Sequence, residues 1–295
     1  MAGIPPPTYA YPHPGPPPER PEVPEGVRPA PSQPGWAPWT SVVALLAGLA
    51  GAVFGAIVIG AIAAAFGANV SDEPPGVQIG ATVVQDASLV FSAILFANMV
   101  RRPRAADFGL RATQLRRAVG LLALAWVTFF VFSVIWAAAL QLNQKDDLPS
   151  QLGADKSTVA LIAVMILVTV IAPVAEEFFF RGYFFTALRN WKGLWPAAVL
   201  TGLVFGAIHV GSAPVGFLVP LMFLGFVLCL LYWRTGSLLP CIALHCLNNA
   251  LAFGVSEGWN WQIPLLMVGA NAVIFFALWP LVRGRAPGEQ RRLVA

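Results

Sequence analysis

The chain has 295 residues, of which 57% are hydrophobic and only 11% are charged, with a formal net charge of +4. Soluble domains carry about 25% charged residues, so this composition excludes a water-soluble globular fold. The basic residues form short clusters between apolar runs rather than one continuous face, which excludes a nucleic-acid-binding protein. The three cysteines lie inside apolar runs without CxxC spacing and are therefore predicted to be core residues.

Residues 1–38 differ from the rest of the chain, because they are dense in proline and almost lack aliphatic side chains. Such a segment cannot bury enough apolar surface to offset its loss of conformational entropy. We therefore predict a disordered cytoplasmic tail with polyproline II character. A solvated tail is the simplest interpretation, and a docking segment for a partner protein is the alternative.

Eight apolar runs follow, and each is long enough to cross a bilayer as a helix of about 20 residues. They cover approximately residues 41–66, 77–100, 118–140, 158–180, 194–212, 214–233, 237–254 and 263–282. The fifth and sixth runs are separated by little more than the sequence GSA, residues 211–213, which predicts a tight helical hairpin. The predicted fold is all-α: a transmembrane domain over residues 39–285 with about eight helices, followed by a short cytoplasmic tail over 286–295.

Basic residues between the runs predict the orientation in the membrane. Arginine and lysine cluster between runs two and three, between four and five, between six and seven, and after run eight. The alternate loops hold mostly acidic residues, so the positive-inside rule places both termini in the cytoplasm. We expect a multi-pass protein of the plasma membrane.

Ionisable side chains inside the apolar runs are the candidates for function, because a charge at mid-bilayer costs at least ~2.5–3.5 kcal/mol. Six qualify: Asp86, Glu176, Glu177, Arg181, His209 and His245. Asp86 could belong to a proton relay or hydrogen bond a neighbouring helix. The other five lie on runs four, five and seven.

The fourth run contains EEFFFR, residues 176–181. Glu177 and Arg181 are four residues apart, share a helix face and can form an ion pair. Glu176 projects about 100° away from Glu177 and has no such partner. We therefore predict that Glu177 and Arg181 are structural, whereas Glu176 faces a cavity and acts as a base.

Runs five and seven supply the imidazoles. His209 ends FGAIH, and His245 begins HCLNN with Asn249 one turn later on the same face. Two imidazoles and a carboxylate can bind a divalent metal such as zinc through Glu176, His209 and His245. Alternatively, Glu176 and His209 activate water directly while His245 and Asn249 stabilise an oxyanion. The residues alone leave both mechanisms open.

Three motifs in this order, EExxxR, FxxxH and HxxxN on separate helices, resemble the CPBP family of type II CAAX prenyl endopeptidases and their bacterial relatives. The resemblance covers roughly residues 157–253. It implies an intramembrane endopeptidase, with Glu176 as the base, Glu177 and Arg181 supporting it, and His209 completing the water or metal site. It assigns His245 and Asn249 to the metal or the oxyanion. The implied substrate is a membrane-associated peptide or protein, and the Ala/Gly/Arg-rich composition favours a bacterial source.

Two other functions remain open on these residues. A non-catalytic scaffold or immunity protein could use the same fold. A proton-coupled transporter could use intramembrane carboxylates and histidines as a relay. The chain shows neither the internal repeat nor the matched broken helices that are typical of transporters, which disfavours the second alternative.

Overall fold

The computed structural model describes residues 34–69, 74–142 and 147–282. Eight apolar helices account for most of this part of the chain. They are α1 (Pro38–Ala65), α2 (Pro75–Asn98), α3 (Leu115–Ala139), α4 (Thr158–Lys192), α5 (Leu194–Ala207), α6 (Val215–Thr235), α7 (Leu239–Ser256) and α8 (Gln262–Val282). Short helical turns at Ala105–Phe108, Leu148–Gln151 and Ala154–Lys156 lie in the connections. The chain is a multi-pass membrane protein, and the predicted all-helical fold is confirmed.

Seven of these helices are long and apolar enough to cross a membrane, and α5 is the exception. Its 14 residues span about 21 Å, less than the ~30 Å hydrocarbon core. The predicted run extended to residue 212, but the helix ends at Ala207 and a turn with Gly211 at φ +96° leads to α6. The predicted hairpin is present.

Glycines bring α5 and α6 into close contact. A Cβ atom on Gly202 would lie 2.7 Å from the carbonyl oxygen of Met222, and one on Gly225 would lie 2.9 Å from Cα of Gly202. Only glycine permits backbones to approach this closely, as is common where membrane helices pack. This contact places α6 beside the end of α5 that carries Phe205.

The folded part begins before the predicted boundary of the N-terminal tail. Trp36 is buried at 2% exposure, and its ring lies 5.0 Å from Phe108 and 4.9 Å from Tyr183 between centroids. Asn190 donates a side-chain hydrogen bond to the carbonyl of Pro34 at 2.7 Å. Residues 34–38 of the predicted tail therefore pack on the helices. The remainder of that tail, residues 1–33, and the predicted C-terminal tail, residues 286–295, lie outside the described residues.

The connection between α2 and α3 holds the start of α7. The backbone N–H of Leu238 donates to the carbonyl of Gly109 at 2.8 Å, and the Ser237 hydroxyl donates to the carbonyl of Arg111 at 2.7 Å. Arg111 in turn donates through Nε to the carbonyl of Gly236. These bonds fix the N-terminal end of the helix that carries His245.

Candidate active site

The fourth helix carries the acidic part of the site, and its Glu177–Arg181 ion pair is present as predicted. Arg181 Nη1 donates to Glu177 Oε1 at 2.6 Å, and both side chains are fully buried. Arg181 Nη2 also donates to the carbonyl of Gly225 on α6 at 3.1 Å, and its guanidinium lies 4.4 Å from the centroid of Phe205. Arg181 on α4 thus contacts both α5 and α6, and the carboxylate of Glu177 neutralises its charge.

His245 on α7 contacts the same carboxylate. Its Nδ1 lies 2.9 Å from Glu177 Oε1, the oxygen that also accepts from Arg181. A carboxylate engaged by arginine is an acceptor, so Nδ1 of His245 carries the proton and donates. The other ring nitrogen, Nε2, is therefore free to contact a substrate or water. A carboxylate bound to one ring nitrogen orients a catalytic imidazole in the same way in other hydrolases. The sequence did not predict this contact, because it joins residues 68 positions apart.

Glu176 has no hydrogen-bond partner for one oxygen. Its Oε2 is buried and unpaired among the described residues, and it lies 3.8 Å from Nε2 of His245. That distance is too long for a direct hydrogen bond, but a water beside the line between the two atoms could bond to both. The Glu176 side chain is 13% exposed, whereas that of Glu177 is fully buried. The predicted difference between a free and a paired carboxylate is therefore present.

His209 lies at the end of α5 and is half-buried. Its Nδ1 is 2.7 Å from the carbonyl oxygen of Phe205, which can only accept, so Nδ1 carries the proton and Nε2 is an acceptor. The Phe205 ring is a neighbour of both histidines, with centroid distances of 5.0 Å to His209 and 5.7 Å to His245. Phe205 and the carbonyl of Gly225 are supporting contacts that the sequence did not single out, although Phe205 belongs to the FxxxH motif.

Asn249 lies one turn after His245 on α7, and its side-chain amide bonds to two neighbouring groups. Its Nδ2 donates to the backbone carbonyl of Val168 on α4 at 3.0 Å, and its Oδ1 accepts from Asn248 at 3.2 Å. Because this carbonyl lies on another helix, the spacing within α7 could not reveal it. The amide thus binds the α4 backbone.

Asp86 is a further buried carboxylate near this cluster. It lies on α2, is 2% exposed, and its Oδ2 has no hydrogen-bond partner among the described residues. It interacts electrostatically with Glu176. The sequence identified Asp86 as a candidate, and the structure places it within the range of the Glu176 charge.

The predicted metal ligands fit a metal in chemistry but not in arrangement. Both histidines donate through Nδ1, to a carboxylate and to a backbone carbonyl, as metal-binding histidines generally do. However, no three His, Cys, Asp or Glu side chains within residues 34–69, 74–142 and 147–282 are close enough to hold one ion. Glu176, His209 and His245 therefore do not form a metal site in this arrangement.

Comparisons with known proteins agree with the motifs. Residues 158–251 match the family described as type II CAAX prenyl endopeptidase Rce1-like. A relative from Escherichia coli, described as an uncharacterized 24.3 kDa protein, is 30% identical over 121 residues, which are 38% of this chain and 55% of the relative. The chain thus spans about half the length of that curated relative, and no solved structure matches. The matched segment holds all seven motif residues and is similar to the Rce1-like type II CAAX prenyl endopeptidases, a family whose members are generally proteases.

Proposed function

We propose that this protein is an intramembrane endopeptidase in which Glu176 activates the attacking water. The observation that carries the proposal is the unpaired Oε2 of Glu176, 3.8 Å from Nε2 of His245. A buried carboxylate oxygen without a partner is costly, and such groups are retained mainly where chemistry needs them. The adjacent Glu177 also has a buried oxygen without a partner, Oε2, but its Oε1 accepts from both Arg181 and His245, whereas Glu176 has no such bonds among the described residues.

In the proposed first step, a water binds to Oε2 of Glu176, on the side that faces Nε2 of His245, and His209 is proposed as its second acceptor. Glu176 Oε2 accepts one proton of this water, and Nε2 of neutral His209 accepts a hydrogen bond from the other. The resulting hydroxide attacks the carbonyl carbon of the scissile peptide bond and forms a tetrahedral intermediate. Glu176 then returns the proton to the leaving amine nitrogen as the C–N bond breaks.

Oxyanion stabilisation is assigned to His245. When His245 is protonated, its Nδ1–H remains on Glu177 and its Nε2–H becomes available to the developing oxyanion. The protonated imidazole also balances charge: Glu176 and Glu177 contribute two negative charges, and Arg181 and His245 two positive ones. A neutral cluster is the least costly arrangement in an environment of low dielectric constant.

The proposed substrate is a peptide or protein in or on the lipid bilayer, since a peptide bond must reach helices that are otherwise surrounded by lipid. Arginines between α2 and α3, such as Arg101, Arg116 and Arg117, support cytoplasmic termini and a plasma-membrane location. The Escherichia coli relative supports a bacterial source.

The test does not require a known substrate. New protein N-termini are labelled and quantified in membranes of cells that express the wild type, Glu176→Gln or Asp155→Asn. The last variant changes an exposed acidic residue and is the matched control. We expect a set of termini that is present with the wild type and Asp155→Asn and lost with Glu176→Gln. Identical termini in all three would favour the non-catalytic scaffold.

A further inference from the structure

A proline in α4, Pro173, removes a backbone donor just before Glu176 and Glu177. Residues Leu167–Ile171 form a π-helical turn, in which the N–H of Ala172 donates to the carbonyl of Leu167, five residues earlier. The next donor in this pattern would be the backbone nitrogen of Pro173, and its acceptor would be the carbonyl of Val168. Proline has no N–H, so the helix itself cannot supply this bond.

The missing donor comes from α7. Nδ2 of Asn249 donates to the carbonyl of Val168 at 3.0 Å, and Asn248 fixes the amide orientation by donating to Oδ1 of Asn249. Without Asn249 the carbonyl would lose this donor, which is costly for a backbone acceptor inside a membrane because lipid tails offer no replacement. Pro173 and Asn249 therefore form a complementary pair across two helices.

We propose that Asn249 is a positioning residue that substitutes for the N–H absent at Pro173, and that it thereby holds α7 in register against α4. The bond lies one helical turn beyond His245 and, together with the His245–Glu177 bond, joins α7 to α4 at two points. Two such points prevent α7 from rotating about a single contact. Nε2 of His245 thus stays directed at Glu176. The catalytic consequence rests on the proposed function, but the hydrogen-bond pairing does not.

A double-mutant cycle tests the pairing. Asn249→Leu removes the donor at similar volume, and Pro173→Ala restores a backbone N–H to α4. In detergent-solubilised full-length protein, we expect Asn249→Leu to shift the folding equilibrium toward the unfolded state by roughly 5- to 150-fold. In the Pro173→Ala background the same change should have little effect, because the restored N–H can now donate to the Val168 carbonyl. Should Asn249→Leu give no folded protein, recovery of folded protein in the double variant is the readout.

Asn271→Leu is the matched control. Asn271 on α8 donates to the carbonyl of Met267 in its own helix and to Sγ of Cys246 on α7. Neither acceptor lies on α4, so the effect of its loss should not depend on Pro173. An Asn249→Leu effect that is equally large in the wild-type and Pro173→Ala backgrounds would overturn the proposal.

Proteolysis distinguishes positioning from direct catalysis. If the double variant regains both stability and the wild-type set of cleaved termini, Asn249 acts through position. If stability returns while cleavage stays absent, Asn249 contacts the reacting groups and the positioning proposal is overturned. If the wild type itself cleaves nothing, the proposed function fails. The stability measurements still show whether Asn249 compensates for the N–H that is absent at Pro173.

Discussion

Replacing Arg181 by alanine should strongly destabilise the protein. The guanidinium is completely buried, pairs with Glu177 at 2.6 Å, donates to the Gly225 carbonyl and lies over the Phe205 ring. Its removal leaves a fully buried carboxylate with His245 as its one remaining partner. Breaking a buried pair by removing one member costs about 3–5 kcal/mol, which corresponds to a fall in melting temperature of roughly 6–20 °C.

Two further variants separate charge burial from other effects. In Glu177→Gln/Arg181→Met both charges are gone, the apolar chain keeps similar volume, and the glutamine side-chain oxygen can still accept from His245. Stability should therefore return close to the wild-type value. Arg101→Ala breaks the Arg101–Asp107 pair, whose arginine side chain is 46% exposed, and should cost no more than about 1 kcal/mol.

Thermal unfolding of the detergent-solubilised variants, followed by intrinsic fluorescence, provides the comparison. The reasoning is refuted if Arg181→Ala melts like Arg101→Ala. It is also refuted if the neutral double variant is no more stable than Arg181→Ala, because the loss would then come from packing rather than from an uncompensated charge.

Three other predictions concern packing, topology and metal dependence. Gly202→Ala should lower the free energy of unfolding by about 1–3 kcal/mol, because the new Cβ would lie 2.7 Å from the Met222 carbonyl oxygen. Gly120→Ala is the control: the space around Gly120 is open, so this variant should be neutral or stabilising in the same thermal unfolding assay. Reporter fusions after Asn69 and after Arg102 should report opposite sides of the membrane; the same side for both would contradict the orientation. Cleavage should persist after treatment with a chelator, because no proposed step uses a metal. If the chelator abolishes cleavage and added zinc restores it, the metal mechanism is favoured instead.

Much of the fold could be predicted because lipid imposes simple rules. Apolar length defined the helices, the short GSA connection defined the α5–α6 hairpin, and i,i+4 spacing gave the Glu177–Arg181 pair. Each of these depends on residues that are near one another in the sequence.

The rest depends on contacts between distant segments. The His245–Glu177 bond, the Asn249–Val168 bond and the packing of Trp36 on Tyr183 link residues 68 or more positions apart. No local spacing encodes them. The π-helical turns of α4 also lack a periodic signature of their own, although Pro173 marked the place where regular hydrogen bonding must fail. The sequence could predict that Glu177 pairs with Arg181 while Glu176 does not. It could not predict that Glu177 also bonds to His245 and orients its ring.

The central claim is that Glu176 activates water to cleave a peptide bond, and isotope incorporation tests it most directly. A peptide identified by the labelled termini is incubated in H₂¹⁸O with purified wild-type protein or Glu176→Gln in liposomes, and the products are analysed by mass spectrometry. We expect one ¹⁸O atom in the new carboxyl terminus with the wild type and no product with Glu176→Gln. Equal product from both proteins, or a wild-type product without ¹⁸O, would contradict it.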